Sequence, residues 1–127
     1  MSFKYKQSKT FEQRRKDYEE MKIKNPNKIP IICEKDPKCD IIEMKKTKFL
    51  IENDLSLPSF SLIIRKKLLL KEENALFFLV NGTKILAGNE LMINVYNKYA
   101  DKDGFLYIIY SSQEVFGHSC IFNLEKK

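Results

Sequence analysis

The residues able to do chemistry are few, and two of them lie near the end of the chain. The 127 residues contain one histidine, His118, and three cysteines, Cys33, Cys39 and Cys120. No two cysteines have the C-x-x-C spacing of a zinc or redox site, so neither a metal site nor a disulfide framework is predicted. His118 and Cys120 are two residues apart with no third group to orient them, which makes a poor catalytic dyad.

Gly117 is a candidate of another kind, because it offers a backbone group rather than a side chain. A residue without Cβ lets the groove of an enzyme close around its carbonyl from both sides. An ordinary loop glycine is the alternative interpretation of this position. Gly117 is therefore a candidate substrate for another enzyme rather than a catalytic residue. Whether an enzyme can reach it depends on the conformation of the chain before it.

The segment that would present Gly117 is an apolar strand followed by a short polar stretch. Residues 105–110 are all aromatic or branched and are bounded by Gly104 and by Ser111. Such an unbroken run predicts a strand buried on both faces, in the middle of a sheet. The residues after it have no helical period, so they predict an extended tail that reaches Gly117.

Composition limits the classes of protein to consider. The length fits one domain, and 43% hydrophobic with 31% charged residues is typical of a folded chain. The net charge is +6, and the basic excess lies in the first seventy residues, which predicts one basic face that attracts acidic partners or anionic lipid. There is no aromatic-lined basic stripe for nucleic acid, no membrane-spanning run and no assembled catalytic group, so we expect a cytoplasmic protein that is not an enzyme and needs no cofactor or metal.

The first half predicts a helix and two strands. Thr10 and Gln13 form a capping box that begins a helix. Its inward side is marked by Phe11, by Tyr18 and by either Met21 or Lys22. Phe3 and Tyr5 predict a short docked segment or a first helical turn before it. Residues 28–34 predict a strand in which the proline at position 30 either points its missing amide away from the neighbouring strand or lies near an edge. Residues 46–51 predict an edge strand, because lysines at the entry of a strand are typical of a protected edge.

The second half predicts a helix, a hairpin, a short helix and the final strand. Ser56 is a good N-cap, and the apolar spacing after it predicts a helix to about Leu70. Residues 75–80 predict a buried strand, Asn81 and Gly82 a tight type I′ hairpin, and residues 90–99 a short helix. This order is that of an α+β, β-grasp (ubiquitin-like) fold with an N-terminal helical extension, which is usually a recognition or tagging module.

From Phe3 to Gly117 the chain resembles the autophagy ubiquitin-like modifiers of the GABARAP type. The matching stretches follow in the same order along the chain. They are Phe11-Glu12-x-Arg14-Arg15, Pro30-x-Ile32-x-Glu34-Lys35-x-Pro37-Lys38, Lys46-x-Lys48-Phe49-Leu50-Ile51, Asp54-Leu55, Phe60-x-x-x-Ile64-Arg65-Lys66, Ala75-Leu76-Phe77-Phe78-x-Val80-Asn81, Phe105-Leu106-Tyr107-Ile108-x-Tyr110-Ser111 and Val115-Phe116-Gly117.

The resemblance implies a use for the tail. A processing cysteine protease would cut between Gly117 and His118, activating and conjugating enzymes would carry the glycine as a thioester, and the glycine would then be joined to phosphatidylethanolamine on the autophagosome membrane. The implied organisation is a helical extension over residues 1–27, a ubiquitin-like core over 28–111, a tail over 112–117 and a removable propeptide over 118–127.

The resemblance also implies a binding groove for receptors that carry a short aromatic-x-x-aliphatic motif, paired as an added strand on the edge strand. The implied aromatic pocket consists of Asp17, Met21, Pro30, Ile32, Lys48, Leu50 and Phe105. The implied aliphatic pocket consists of Phe49, Ile51, Leu55, Phe60, Ile63 and Ile64, although helical spacing alone would also explain Phe60 and Ile64 as core. Lys28, Lys46 and Lys48 would attract acidic residues of the motif.

Three positions bear on how closely the family pattern is followed. Glu52 stands where the family usually has proline and would place a negative charge beside the aliphatic pocket. Phe77 and Leu79 correspond to the surface that family proteases recognise, and Leu79 replaces a usual aromatic residue. A binding module that keeps its tail and uses only the groove is therefore the alternative function.

Overall fold

The computed structural model describes residues 3–82 and 84–112, which form two N-terminal helices followed by a five-stranded mixed sheet and two further helices. The helices are α1 (Lys4–Ser8), α2 (Phe11–Lys24), α3 (Leu57–Leu68) and α4 (Met92–Tyr99). The strands are β1 (Lys28–Lys35), β2 (Lys48–Glu52), β3 (Phe77–Val80), β4 (Lys84–Ile85) and β5 (Leu106–Ser111). The predicted α+β ubiquitin-like architecture is confirmed.

The sheet has the strand order β2-β1-β5-β3-β4. β5 is central, parallel to β1 and antiparallel to β3, and all six of its residues are buried, as the apolar run predicts. β2 pairs only with β1, so its other edge is open among the described residues, which confirms the predicted edge strand.

Two hydrophobic clusters lie on opposite faces of the sheet. The larger one packs α3 and α4 against one face, where the Phe60 ring packs at a tilt against Phe78 with ring centroids 5.2 Å apart. The smaller one packs α1 and α2 against the other face around Ile32 and Phe105. A sheet covered on both sides explains why β1 and β5 read as continuous apolar runs.

Local sequence signals predict the helix starts correctly, but the structure corrects the side of α2 on which Phe11 lies and the length of the hairpin loop. The capping box at Thr10 is formed, with its hydroxyl accepting from the Gln13 amide at 3.2 Å. Phe11, however, is 44% exposed and does not face inward, since its ring lies beside the Arg14 guanidinium instead. Asn81 and Gly82 have positive φ, as a type I′ turn requires, but the closing pair is Val80 with Lys84, so the loop is one residue longer than the predicted two-residue turn.

Candidate functional site

The open edge of β2 carries the candidate site, and its register fixes which groups point outward. β1 and β2 are antiparallel, with Pro30 opposite Leu50 and Ile31 opposite Phe49. Just beyond β2, the Cys33 amide donates to the Thr47 carbonyl at 2.8 Å. Hydrogen-bonded pairs alternate with non-bonded pairs along such a ladder, so the backbone N–H and C=O of Leu50 point away from β1. The missing amide of Pro30 therefore removes no bond to β2, but it lies on the side of β5, and β1 is not an edge strand, so the predicted placement away from a neighbour strand or near an edge holds only toward β2.

The same alternation divides the side chains of β2 between the two faces of the sheet. Lys48, Leu50 and Glu52 share one side, called here the Leu50 face, and Phe49 and Ile51 share the other, called the Ile51 face. Leu50 is half-buried, whereas Phe49 and Ile51 are buried. An added strand at this edge would therefore meet two different surfaces, one on each side of its backbone.

The Leu50 face brings together the whole predicted aromatic pocket. Across the ladder, Pro30 and Ile32 lie opposite Leu50 and Lys48. Ile32 and Phe105 are fully buried and form a floor, against which the half-buried Met21 packs. The carboxylate of Asp17 lies 3.8 Å from the Lys48 ammonium and belongs to the same surface.

Tyr5 completes this surface, although the sequence indicated only that it docks. Its ring packs edge-on against Phe105 with centroids 5.3 Å apart, and the Lys48 ammonium lies 5.3 Å from the Tyr5 ring centroid. Its hydroxyl donates to Asp17 at 2.7 Å. The alternation of Phe3 and Tyr5 with lysines, at the start of an otherwise polar segment, is the signal that indicates a role for this ring.

The charges on the Leu50 face are held in pairs. Burial alone would raise the pKa of Asp17, but hydrogen bonds from Lys9 and Tyr5, together with the charge of Lys48, outweigh it and lower that pKa. Burial and the bond to Asp17 raise the pKa of the Tyr5 phenol, so this hydroxyl is a neutral donor. Asp17 is therefore an anion that holds two lysines at the entry to the site.

Lys28 and Glu52 form the other charged pair at this edge. They lie opposite each other in the ladder, with ammonium and carboxylate 3.6 Å apart. Glu52 was predicted to lie beside the aliphatic pocket, but strand alternation places it on the Leu50 face. Lys46 is exposed, and its ammonium lies 5.3 Å from the Phe49 ring centroid. The edge is thus basic overall, with Glu52 partly offsetting Lys28.

The Ile51 face brings together the predicted aliphatic residues, but most of them are interior. Phe49, Ile51, Phe60 and Ile64 belong to the larger core cluster, and Phe60 and Ile64 are completely buried. Leu55 and Ile63 are half-buried and are the members that present surface. In this conformation helical spacing therefore explains Phe60 and Ile64 as core, and they underlie any aliphatic subsite.

Two buried carboxylates, missed by sequence reasoning, hold the N-terminal helices against the Leu50 face. Glu34 accepts from the amides of Lys4 and Tyr5 at 2.8 and 3.0 Å, and so satisfies the first turn of α1. Asp103 is fully buried and accepts from Arg14 Nε at 2.8 Å. An acidic residue inside an apolar strand, such as Glu34, is the signal that could have indicated such a role.

The remaining predicted residues lie elsewhere. Phe77 is half-buried and Leu79 is buried on β3, opposite Ser111 and Ile109 of β5. Gly117 and His118 lie outside the described residues, as does Cys120. Cys33 and Cys39 are buried; the Cys39 thiol lies 3.3 Å from a carboxylate oxygen of Asp36, and burial raises the pKa of the Cys33 thiol. Residues 3–82 and 84–112 contain no group of side chains suited to a metal ion, and none of their helices is long and apolar enough to cross a membrane.

Comparison with known proteins identifies the family. The family model described as "Autophagy protein Atg8 ubiquitin like" matches residues 13–117. The chain is 42% identical over 118 residues to Autophagy-related protein 8 of Candida glabrata, covering 93% of this chain and 99% of the relative, and 40% identical over 121 residues to that of Kluyveromyces lactis, covering 95% and 97%. The crystal structure of Trypanosoma brucei ATG8 superimposes with a TM-score of 0.83 at 42% identity, covering 87% of this chain and 95% of that one. Sequence and fold agree along most of its length, and this chain belongs to the Atg8 family of ubiquitin-like autophagy proteins.

Proposed function

We propose that this Atg8-family protein is a conjugated modifier, cut after Gly117 by a cysteine protease and then joined through that glycine to phosphatidylethanolamine. The observation that carries the proposal is the extent of the family match, which runs from residue 13 to Gly117 and ends there. Residues 118–127 lie beyond it, as a removable propeptide would. The chain would then be a substrate of activating and conjugating enzymes, cytoplasmic before conjugation and attached to the autophagosome membrane after it.

We further propose that receptors with aromatic-x-x-aliphatic motifs pair with the open edge of β2. The edge supports this role because it offers outward backbone groups between two chemically different faces. The Leu50 face would take the aromatic residue beside Tyr5 and Lys48, and Leu55 with Ile63 would take the aliphatic one. Lys28, Lys46 and Lys48 would draw acidic residues that flank the motif.

The second candidate is an adaptor that binds motifs but is never conjugated. It applies if the ten residues after Gly117 are retained, because the Gly117 carbonyl then stays in a peptide bond and offers no carboxylate for activation. Both candidates use the same β2 edge, so binding of a motif peptide by the full-length chain fits either one. Only the fate of the C-terminus separates them.

Intact-mass measurement of the protein recovered from its own cells tests the proposal. We expect a chain that ends at Gly117, with part of the population carrying the added mass of a phospholipid. Gly117→Ala should remove the lipid-bearing form, because a Cβ at the reacting carbonyl obstructs the enzyme groove. Ala87→Gly, at an exposed loop position, is the matched control and should leave it unchanged. A chain that ends at Lys127 in every form, including under starvation, would leave only the adaptor.

A further inference from the structure

The C-terminal end of α3 exposes leucines that the fold does not use. Leu69 is 86% exposed and Leu62 is 58% exposed. Together with Leu70 they line a shallow depression of about 430 Å³ that also includes Arg65, Lys66 and Glu72. This surface, called here the α3 leucine patch, shares no residue with the predicted motif-binding set.

Leu69 occupies a backbone position that does not favour leucine. It is the C-cap of α3 with φ of 56° and ψ of 38°, the left-handed conformation in which helices usually place glycine or asparagine. A side chain with a Cβ is strained there. An exposed leucine at such a position adds apolar surface in water and strains the backbone, and it stabilises nothing within the domain. We infer that the side chain contacts something outside the folded domain.

The charges around the patch favour an anionic partner. Arg65, Lys66 and Lys67 occupy the last turn of α3, and Lys71 follows. Arg65 is partly committed to the fold, since it donates to the carbonyls of Lys71 and Asn74. The neighbouring acids are Glu72 and Glu73, so basic residues exceed acidic ones around the leucines.

The patch lies beside the point where the tail leaves the domain. Leu70, which lines the patch, also lines a neighbouring depression of about 500 Å³ together with Leu68 and Ser112. Gly117 is the fifth residue after Ser112, so residues 113–117 complete the tail. Fully extended, they span about 17 Å. A bilayer joined to Gly117 would therefore lie within that distance of the root of the tail and close to the patch.

We propose that the α3 leucine patch is the face that contacts the membrane, with Leu62 and Leu69 entering the interface and Lys66 and Lys67 pairing with anionic headgroups. The inference rests on the proposed conjugation at Gly117, which brings the bilayer into reach. Exposed leucines ringed by basic residues are the composition of interfacial membrane contacts. The contact would fix the orientation of the attached domain relative to the bilayer.

A fluorescence experiment on the full chain tests this contact without the conjugating enzymes. The chain has no tryptophan, so Leu69→Trp introduces a single reporter in the patch, and Ile23→Trp, at a position 80% exposed on α2, is the matched control. Each protein is coupled through Cys120 to a maleimide lipid in vesicles that contain phosphatidylserine and brominated acyl chains. Cys33 and Cys39 are buried, and Cys120→Ser verifies the coupling site.

We expect the indole emission of the Leu69→Trp protein to shift to the blue and to be quenched by the bromines severalfold more than that of the Ile23→Trp protein. Adding Lys66→Glu and Lys67→Glu to the Leu69→Trp chain should weaken membrane contact by about fivefold or more for each charge. The urea unfolding midpoint of each variant verifies that the domain is folded.

Equal quenching of the Leu69→Trp and Ile23→Trp proteins would overturn the proposal, as would charge reversal without effect. A reporter at position 69 that stays in water on vesicles but shifts with an acidic peptide would assign the patch to a protein partner and likewise overturn it. Because the tether is chemical, none of these results depends on conjugation in cells. Conjugation itself is tested by the intact mass.

Discussion

At the scale of single residues, neighbouring side chains of β2 have opposite tasks. Leu50 is half-buried on the outer surface of the edge, and Ile51 is 5% exposed in the main core. We expect Leu50→Ala to weaken binding of an aromatic-x-x-aliphatic peptide about tenfold and to leave the free energy of unfolding within about 1 kcal/mol. Peptide titration calorimetry and urea unfolding measure the two effects.

Ile51→Ala is the matched variant, and it should behave in the opposite way. Truncating a buried isoleucine costs about 2–5 kcal/mol through lost contacts and the cavity left behind. Peptide affinity of the molecules that remain folded should change less than in Leu50→Ala. If Leu50→Ala binds peptide as tightly as the unchanged protein, the Leu50 face is not the aromatic subsite.

Gly104 is a position where backbone conformation and close packing coincide. Its φ is +101°, and a Cβ built on it would lie 2.3 Å from Cγ of the Tyr18 ring. Gly104→Ala should therefore strain the backbone and push α2 away from β5, lowering the free energy of unfolding by about 2–4 kcal/mol. Gly88 is the control, since its φ is +80° but nothing lies within 4 Å of a Cβ there. Gly88→Ala should lower the free energy of unfolding only through backbone strain, by about 1 kcal/mol. If Gly88→Ala and Gly104→Ala lower it equally, the clash with Tyr18 is not the cause.

At the scale of elements, the function of β2 depends on its backbone as well as its side chains. The amide of Leu50 points to the open edge, so proline at this position removes an outward donor and no bond to β1. We expect Leu50→Pro to bind a motif peptide at least about fivefold more weakly than Leu50→Ala, because both lack the leucine side chain and only proline lacks the N–H. Peptide titration of the two variants, each verified as folded by circular dichroism, measures the difference. Equal affinities would mean that the peptide does not pair with the strand at residue 50.

Most elements could be predicted from local pattern, because each has a strong period or cap. The capping box at Thr10, the N-cap at Ser56 and the lysines before β2 correctly indicated two helices and an edge. Local pattern failed at Phe11, because which side of a polar helix is covered depends on the sheet beneath it. The loop after Val80 likewise depends on the register of β3 with β4, which the dipeptide Asn-Gly does not determine alone.

At the scale of the whole molecule, sequence analysis could not predict which site residues lie at the surface and which lie in the core. The resemblance indicated both pocket sets, but only the fold separates them onto opposite faces and buries Phe60 and Ile64 while leaving Ile63 partly exposed. The roles of Tyr5 and Glu34 depend on contacts between α1 and strands of the sheet that are distant from it in sequence. Long-range packing of this kind leaves a weak trace in a single chain.

The docking of α1 is partly electrostatic, so it should depend on pH. On α1, the Lys6 ammonium lies 2.8 Å from a carboxylate oxygen of Asp101, and the Tyr5 hydroxyl donates to the Asp17 carboxylate at 2.7 Å. Burial alone would raise the pKa of Asp101, but hydrogen bonds from Lys6 and the Asp103 amide, together with the charges of Lys6 and Arg14, outweigh it and lower that pKa. The pKa of Asp17 is lowered in the same way by its own partners. A carboxylate whose pKa is lowered by folding stabilises the protein above its ordinary pKa, about 3.9, and loses that stabilisation as the pH falls through its lowered value.

We therefore expect the amides of Lys4–Ser8 to lose protection from hydrogen exchange as the pH falls below about 4, before the amides of β1 and β5 do, because protonation of Asp17 and Asp101 removes bonds that dock α1. Exchange rates corrected for intrinsic pH dependence give the measurement. Asp17→Asn with Asp101→Asn should lower the protection of α1 already at about pH 6 and reduce its dependence on pH, whereas Asp54→Asn, at an exposed turn, should do neither. Protection of α1 that stays constant down to the pH at which the sheet unfolds would mean that the packing of Phe3 and Tyr5 on Tyr107 and Phe105 holds the segment without these charges.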